Sequence, residues 1–193
     1  QKFHPSMRHV SAARKQIRKR TAFNLLGPLS NPANVKNQLI GVFSTEYLDR
    51  LPLILKRKGA ENIMTVRSDD GMDEFSTSEV NRVCILKENK VLMNAIDPEI
   101  VGLHKSKLED IQIKTKKESI ESFVGVLNNT ANQAMIETTA LNAAGGLIVS
   151  NIAKNFEEAV EIALNTIKSG KAFKLLEKFV EDTGDISRLR EMT

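Results

Sequence analysis

Between residues 38 and 71 the chain carries the pattern that most restricts its fold. Gln38 to Phe43 reads as a buried strand, Ser44 as a helix N-cap, and Gly59 as the cap that closes a helix over Thr45 to Lys58. Pro52 falls inside that helix and is expected to kink or shorten it. Asn62 to Arg67 reads as a second strand that ends in the polar loop Ser68-Asp69-Asp70-Gly71. A strand, a helix and a strand in this order predict two parallel strands with a right-handed crossover. The fold class that follows is α/β, an open, mainly parallel sheet flanked by helices. The polar loop leaves the carboxyl end of a strand, which is where open α/β sheets bind ligands.

The remaining segments fit around that unit. From Pro5 to Ile17, Met7, Val10, Ala13 and Ile17 recur at helical spacing, with Arg8, Arg14, Lys15 and Arg18 off the apolar stripe and Pro5 in the first turn. Gly27-Pro28-Leu29-Ser30-Asn31-Pro32 places two prolines and a glycine in six residues, and a loop is expected there. Arg82 to Leu86 and Lys90 to Asn94 flank Lys87-Glu88-Asn89 as a hairpin, and Asp97 to Leu108 reads as irregular. Helices are expected over Ile120 to Leu127, Gln133 to Ile152, Asn155 to Lys168 and Lys171 to Glu181. The third sets Phe156, Ala159, Val160, Ala163, Leu164 and Ile167 on one face, a core-facing pattern.

With 193 residues and 41% hydrophobic content, the chain suits one α/β domain over 1–193. Its most apolar run, Leu141 to Ile152, is interrupted by Asn142 and a glycine pair and falls short of the roughly 20 residues of a membrane helix. The single cysteine, Cys84, lies in the apolar run Val83-Cys84-Ile85-Leu86; it reads as a small packing group and fits a reducing cytoplasm. Gln1-Lys2-Phe3-His4-Pro5 shows neither an initiator Met nor a signal-peptide layout, so we expect a chain that begins inside a longer reading frame.

The net charge of +4 conceals an asymmetry: residues 1–45 hold eight Lys/Arg and no Asp or Glu. A basic head of this kind draws anions, whether nucleic acid, phosphates or a carboxylate substrate, and it also suits a solvated helix face. The loop Asp69-Asp70-Gly71-Met72-Asp73-Glu74 has the opposite character. Its carboxylates suit Mg2+, a hard cation that takes one or two carboxylates and completes its shell with water and phosphate oxygens. The same loop also reads as a hydrophilic turn that caps its neighbours. Arg14 is placed to clamp a carboxylate with two parallel hydrogen bonds or to serve as a surface ion-pair residue. His4 and His9 flank the first helical turn with no acid or nucleophile beside them in sequence. A Gly-x-Ser-x-Gly elbow, a Walker loop and a dinucleotide glycine fingerprint are all missing.

Three segments together resemble the anthranilate phosphoribosyltransferase family: His4-Pro5-Ser6-Met7-Arg8-His9-Val10 with Arg14; Arg20-Thr21-Ala22-Phe23-Asn24-Leu25-Leu26-Gly27-Pro28-Leu29-Ser30-Asn31-Pro32; and Gly71-Met72-Asp73-Glu74. Weaker resemblance runs through Gln38 to Ser44, Leu141-Asn142-Ala143-Ala144 and Ser169-Gly170-Lys171-Ala172. It implies the nucleoside phosphorylase/phosphoribosyltransferase catalytic domain, incomplete at the amino end. It also implies a cytoplasmic, tryptophan-pathway reaction of anthranilate with phosphoribosyl pyrophosphate and Mg2+. Such chemistry needs no protein nucleophile; positioning and charge neutralisation carry it. The resemblance implies that Arg14 holds the anthranilate carboxylate, that His4, Gly27 and Pro28 line the aromatic channel, and that Asp73 and Glu74 carry the Mg2+. A homodimer is implied for the full-length protein, through an amino-terminal helical domain.

Two departures stand out. Ile17-Arg18 occupies the place of the family's Leu-Gly pair, for which there is no functional reading, and the family's Gly-Thr-Gly-Gly-Asp and Lys-His-Gly-Asn segments lie upstream of anything in this sequence. From that we expect the chain alone to bind phosphoribosyl pyrophosphate feebly and to show no turnover. Two other readings stay open: a pyrimidine nucleoside phosphorylase, and a non-catalytic relative that binds nucleic acid through the basic head. The second implies steep salt dependence, and one Tyr with no Trp leaves it little to stack bases on.

Overall fold

The computed structural model describes residues 9, 13, 16, 17, 21 and 23–191. Contacts divide the chain into two compact units, Gln1–Lys36 and Asn37–Thr193.

In the first unit His9, Ala13, Gln16 and Ile17 are helical; the rest of the helix expected over Pro5 to Ile17, with Arg14 and His4, lies outside the described residues. The segment Phe23–Leu29 is a helix, α1, and contains both Gly27 and Pro28. The expected loop therefore starts later, at Ser30. Pro28 is the sixth of seven residues, so its missing N–H removes only one helical bond, and Ser30 N closes the end on Leu26 O at 2.9 Å. Thr21 N donates to Asn24 Oδ1 at 3.0 Å at the other end.

The second unit holds a four-stranded sheet in the order β1-β2-β3-β4: β1 Asn37–Gly41, β2 Asn62–Ser68, β3 Asn81–Lys87 and β4 Lys90–Ile96. β1 and β2 are parallel, from Asn37 opposite Asn62 to Gly41 opposite Val66, as the strand-helix-strand pattern requires. β2–β3 and β3–β4 are antiparallel. Among the described residues the sheet is thus mixed, with one parallel pair and two antiparallel ones, where a mainly parallel sheet was expected. The cause is the connection 69–80, which contains no helix and folds into a loop instead of a crossover. The hairpin lies where it was predicted: Glu88 and Asn89, at φ 50° and 63°, make the two-residue turn between paired Lys87 and Lys90.

The helix expected over Thr45 to Lys58 is divided in two. Thr45–Tyr47 is a 3-10 turn and α2 spans Arg50–Arg57, which places Pro52 in the first turn, where it lacks nothing. Beyond the sheet come α3 Leu108–Ile111, α4 Lys116–Leu127, α5 Gln133–Val149, α6 Phe156–Lys168, α7 Lys171–Thr183 and a short α8 Ile186–Arg190 that the sequence did not announce. α4 starts four residues before Ile120 because Thr115 and Glu118 form a reciprocal capping box. α5 stops at Val149 because Asn151 takes the left-handed conformation that ends helices, φ 57°.

α5 lies on β1 and β2 from one side and α2 on β2 and β3 from the other. With both faces covered, β2 is buried along most of its length. The core on the α5–α6 side gathers Met64, Val66, Phe75, Val83, Leu141, Ala144 and Phe156. Each large apolar side chain of this kind contributes about 1.5–3 kcal/mol when fully removed from water. Cys84 is buried as expected; burial, and then the Asp49 charge, push its thiol up to about 11, so it packs and does not react.

Candidate functional site

The acidic loop after β2 begins with two carboxylates that are already committed. Asp69 receives Arg82 Nε and Nη2 from β3, the shortest contact being 2.9 Å. Asp70 Oδ1 accepts from Met72 N at 2.8 Å and its other oxygen accepts from Ser78 Oγ, which ties the loop across itself. Burial works against ionisation of Asp70, but the hydrogen bonds from serines and from Met72 N outweigh it and hold its carboxyl below the usual range. Of the four carboxylates in this stretch, two are therefore structural, as the reading of the loop as a capped turn anticipated for all of them.

Asp73 and Glu74 stand at the crest of the loop, and the residues that fix them come from three other elements. Gly41, at the end of β1, lies directly beneath: a Cβ there would fall 1.5 Å from the Asp73 carbonyl oxygen, so only glycine admits the loop. Phe75 follows the pair into the core, fully buried and edge-on to Phe156 at 5.5 Å. Asn142 of α5 grips its backbone from both sides: Phe75 N donates to Asn142 Oδ1 at 3.0 Å and Asn142 Nδ2 donates to Phe75 O at 2.7 Å. Further along, Ser76 N donates to Asn81 Oδ1 and Thr77 Oγ1 lies 2.7 Å from Thr138 Oγ1 of α5. Arg67 Nη1 donates to Phe43 O at 2.8 Å and joins the exits of β1 and β2.

Glu74 is exposed on the loop, with other carboxylates close enough to favour a cation beside it. Desolvation first, then the charges of Asp73 and Asp70, raise its carboxyl above the ordinary value, and among the described residues it makes no ion pair. A bound cation would remove that penalty. Among the described residues no group of three or more His, Cys, Asp or Glu is gathered to hold a metal on protein ligands alone. The pair thus fits a hard divalent ion that completes its shell with water and phosphate oxygens, and not zinc. Glu74 also forms part of the wall of a cavity of about 300 Å³ with Met72, Phe123, Val126, Met135 and Thr139. A second cavity, about 310 Å³, lies at the amino end of α5, but its buried Glu137 is saturated by His104 N, His104 Nδ1 and Gln133 Nε2, all at 2.8 Å.

Of the residues singled out in the sequence, Asp73 and Glu74 stand together on this loop, Gly27 and Pro28 lie in α1 of the other unit, and Arg14 and His4 lie outside the described residues. Gly41 and Asn142 were not singled out as site residues. Both left a trace: a glycine inside a strand marks close backbone approach, and an asparagine in an apolar helix marks a buried polar partner.

Comparison with known proteins accords with this architecture. The model of the glycosyl transferase family, a/b domain, matches residues 1–173. The chain belongs to that family. Within the glycosyl transferase family it is 83% identical over 192 residues to the anthranilate phosphoribosyltransferase of Nitrosopumilus maritimus (strain SCM1), a match that takes in 100% of this chain and 55% of the relative. It is 45% identical to that of Cenarchaeum symbiosum (strain A), over 98% of this chain and 55% of the relative. The chain spans about half the length of the curated relatives it matches. Among solved structures, the anthranilate phosphoribosyltransferase of Thermus thermophilus superposes with TM-score 0.83 at 34% identity, over 92% of this chain and 52% of that one. The Saccharomyces cerevisiae enzyme in complex with PRPP and Mg gives 0.74 at 26% identity, over 91% and 50%.

Proposed function

We propose that this chain contributes the acidic, metal-facing half of a site that transfers a phosphoribosyl group from phosphoribosyl pyrophosphate to anthranilate. The observation that carries the reading is the Asp73–Glu74 pair, held against Gly41 and clamped through Phe75 by Asn142 at the carboxyl end of β2. The likeness to proteins named for this reaction supports it, as does the yeast enzyme's complex with PRPP and Mg.

In this reaction the anthranilate nitrogen bonds to the anomeric carbon while the bond to the pyrophosphate oxygen breaks. The electron pair leaves with pyrophosphate and a proton leaves the nitrogen. Charge on the leaving group is what must be neutralised. Mg2+, when bound, supplies that neutralisation. The chain's own part is to present Asp73 and Glu74 as an ionised pair on a loop that cannot drift. Arg14 orients the anthranilate carboxylate, and His4, Gly27 and Pro28 line the aromatic channel. The lone, buried Cys84 supports a cytoplasmic setting, and the full-length protein is proposed to work as a homodimer.

The direct test is a chimera in which this chain replaces the matching carboxy-terminal part of the Nitrosopumilus maritimus relative. It should consume anthranilate, followed by fluorescence, in the presence of phosphoribosyl pyrophosphate and Mg2+, whereas the 193-residue chain alone should show no turnover. Arg14→Ala should weaken anthranilate binding about 10- to 100-fold, the worth of a charge-assisted bond. Asp73→Asn with Glu74→Gln should lower turnover and raise the Mg2+ concentration needed to reach it. A folded chimera without turnover sinks the proposal, and DNA binding that collapses with salt would select the nucleic-acid reading.

A further inference from the structure

We infer that the outer face of α7 is a self-association surface, and that its partner is α7 of a second copy of this chain, packed antiparallel to it. The inference is independent of the acid pair and of the reaction.

α7 runs for 13 residues and buries none of them. Leu176 and Val180 are half-buried, and α6 packs against the helix. Leu175, 69% exposed, and Phe179, 63% exposed, stand one turn apart as a second apolar stripe that the rest of the chain leaves uncovered. Lys171, Leu175, Phe179 and Asp182 follow one another at spacings of four, four and three residues, which sets them along a single helical face, and all four are exposed.

The order along that face selects the occupant. From either end it runs charge, apolar, apolar, charge, with opposite signs at the two ends. A two-fold axis beside Glu177 lays Leu175 of one copy on Phe179 of the other and brings Lys171 to Asp182 twice over, so a single register satisfies both pairs. Glu177 and Lys178, the charges nearest the axis, lie off the face. Parallel pairing would instead set Lys171 against Lys171 and Asp182 against Asp182.

α7 is also charged against its own dipole. Its first turn has no acid and its last turn no base, while Lys171 stands at the amino end and Glu181 and Asp182 at the carboxyl end, each opposing the helix dipole. An antiparallel neighbour reverses this, because its Asp182 comes to the amino end and its Lys171 to the carboxyl end. Among the described residues neither Lys171 nor Asp182 is in an ion pair within the chain. A lipid surface fits less well: Lys171, Lys174 and Lys178 are matched by Glu177, Glu181 and Asp182, whereas an acidic headgroup layer calls for a basic face.

One helix from each copy makes a contact smaller than the roughly 1,200 Å² of a stable complex, so the dimer is weak and concentration-dependent. Sedimentation equilibrium of the 193-residue chain, up to about 1 mM at the weak end of the affinity scale, should show a monomer–dimer equilibrium. Leu175→Ser and Phe179→Ser, both at exposed positions, should each raise the Kd about tenfold or more while the far-ultraviolet spectrum and thermal midpoint hold. Lys171→Asp and Asp182→Lys should each weaken self-association, because like charges then meet. An equimolar mixture of those two variants should associate at least as tightly as the parent chain, since opposite charges meet again at both ends; an unspecific apolar patch predicts no such rescue.

A chain that stays monomeric throughout overturns the proposal, and so does a dimer indifferent to Leu175→Ser and Phe179→Ser together. Failure of the mixture to regain what the single variants lost overturns the antiparallel pairing, and the proposal with it. If the parent chain floats with phosphatidylglycerol vesicles and the dimer dissolves as it does, the face belongs to lipid and not to a second copy.

Discussion

Gly41 and Glu74 set opposite limits on the site. At Gly41 any side chain collides with the backbone of Asp73, so Gly41→Ala is expected to cost about 1–3 kcal/mol, the usual range for overpacking, and to displace the acid pair. Urea unfolding measures the first effect and Mn2+ affinity the second; an alanine variant with unchanged metal affinity would remove Gly41 from the site. At Glu74 the native carboxyl is raised above its unfolded value by desolvation and by Asp73 and Asp70. Between the two values the native state holds more protons than the unfolded chain, so its stability falls as pH rises through that window. Glu74→Gln cannot ionise. It should therefore unfold at higher urea than the parent at neutral pH, with the difference vanishing below the ordinary carboxylate range. A gain that persists at low pH would point to packing instead of charge.

At the scale of elements, α5 decides where the loop stands. Asn142 satisfies both the N–H and the C=O of buried Phe75, so Asn142→Leu leaves two buried backbone groups unpaired and should cost about 2–4 kcal/mol. Its denaturation midpoint should fall accordingly, and the Phe75 amide should lose hydrogen-exchange protection ahead of β2. Gly145, on the same helix, permits the approach: a Cβ there would lie 2.7 Å from the Phe75 ring.

Elements whose signals are local were legible in advance. The hairpin turn at Glu88-Asn89, the apolar face of α6 and the strand-helix-strand unit all declare themselves in short stretches of sequence. The antiparallel return of β3 did not, because the connection 69–80 has no periodicity and its shape comes from Asn81, Asn142 and Thr138, distant partners in sequence. Of the site, Asp73 and Glu74 could be read as acids on a strand exit. That Asp69 and Asp70 would be consumed by Arg82 and Ser78 depends on the β2–β3 pairing and could not.

For the molecule as a whole, the main apolar core, as far as the described residues form it, comes from residues after Lys36. A chain that starts at Asn37 should accordingly fold, unfold in one cooperative transition, and shift its thermal midpoint by no more than about 4 °C, the equivalent of about 1 kcal/mol at this size. Loss of the calorimetric transition would show that residues 1–36 belong to the folding unit. The basic charge would go with them, since that segment contains eight of the 28 Lys/Arg.

The struts that seat the crest of the loop, Asn142 on Phe75, Asn81 on Ser76 and Thr138 on Thr77, are uncharged. Ionic strength acts on charges and leaves amide and hydroxyl contacts nearly untouched. Added salt should thus loosen whatever cation rests on the carboxylates while the scaffold around them keeps its shape, so that occupancy and architecture respond to different variables.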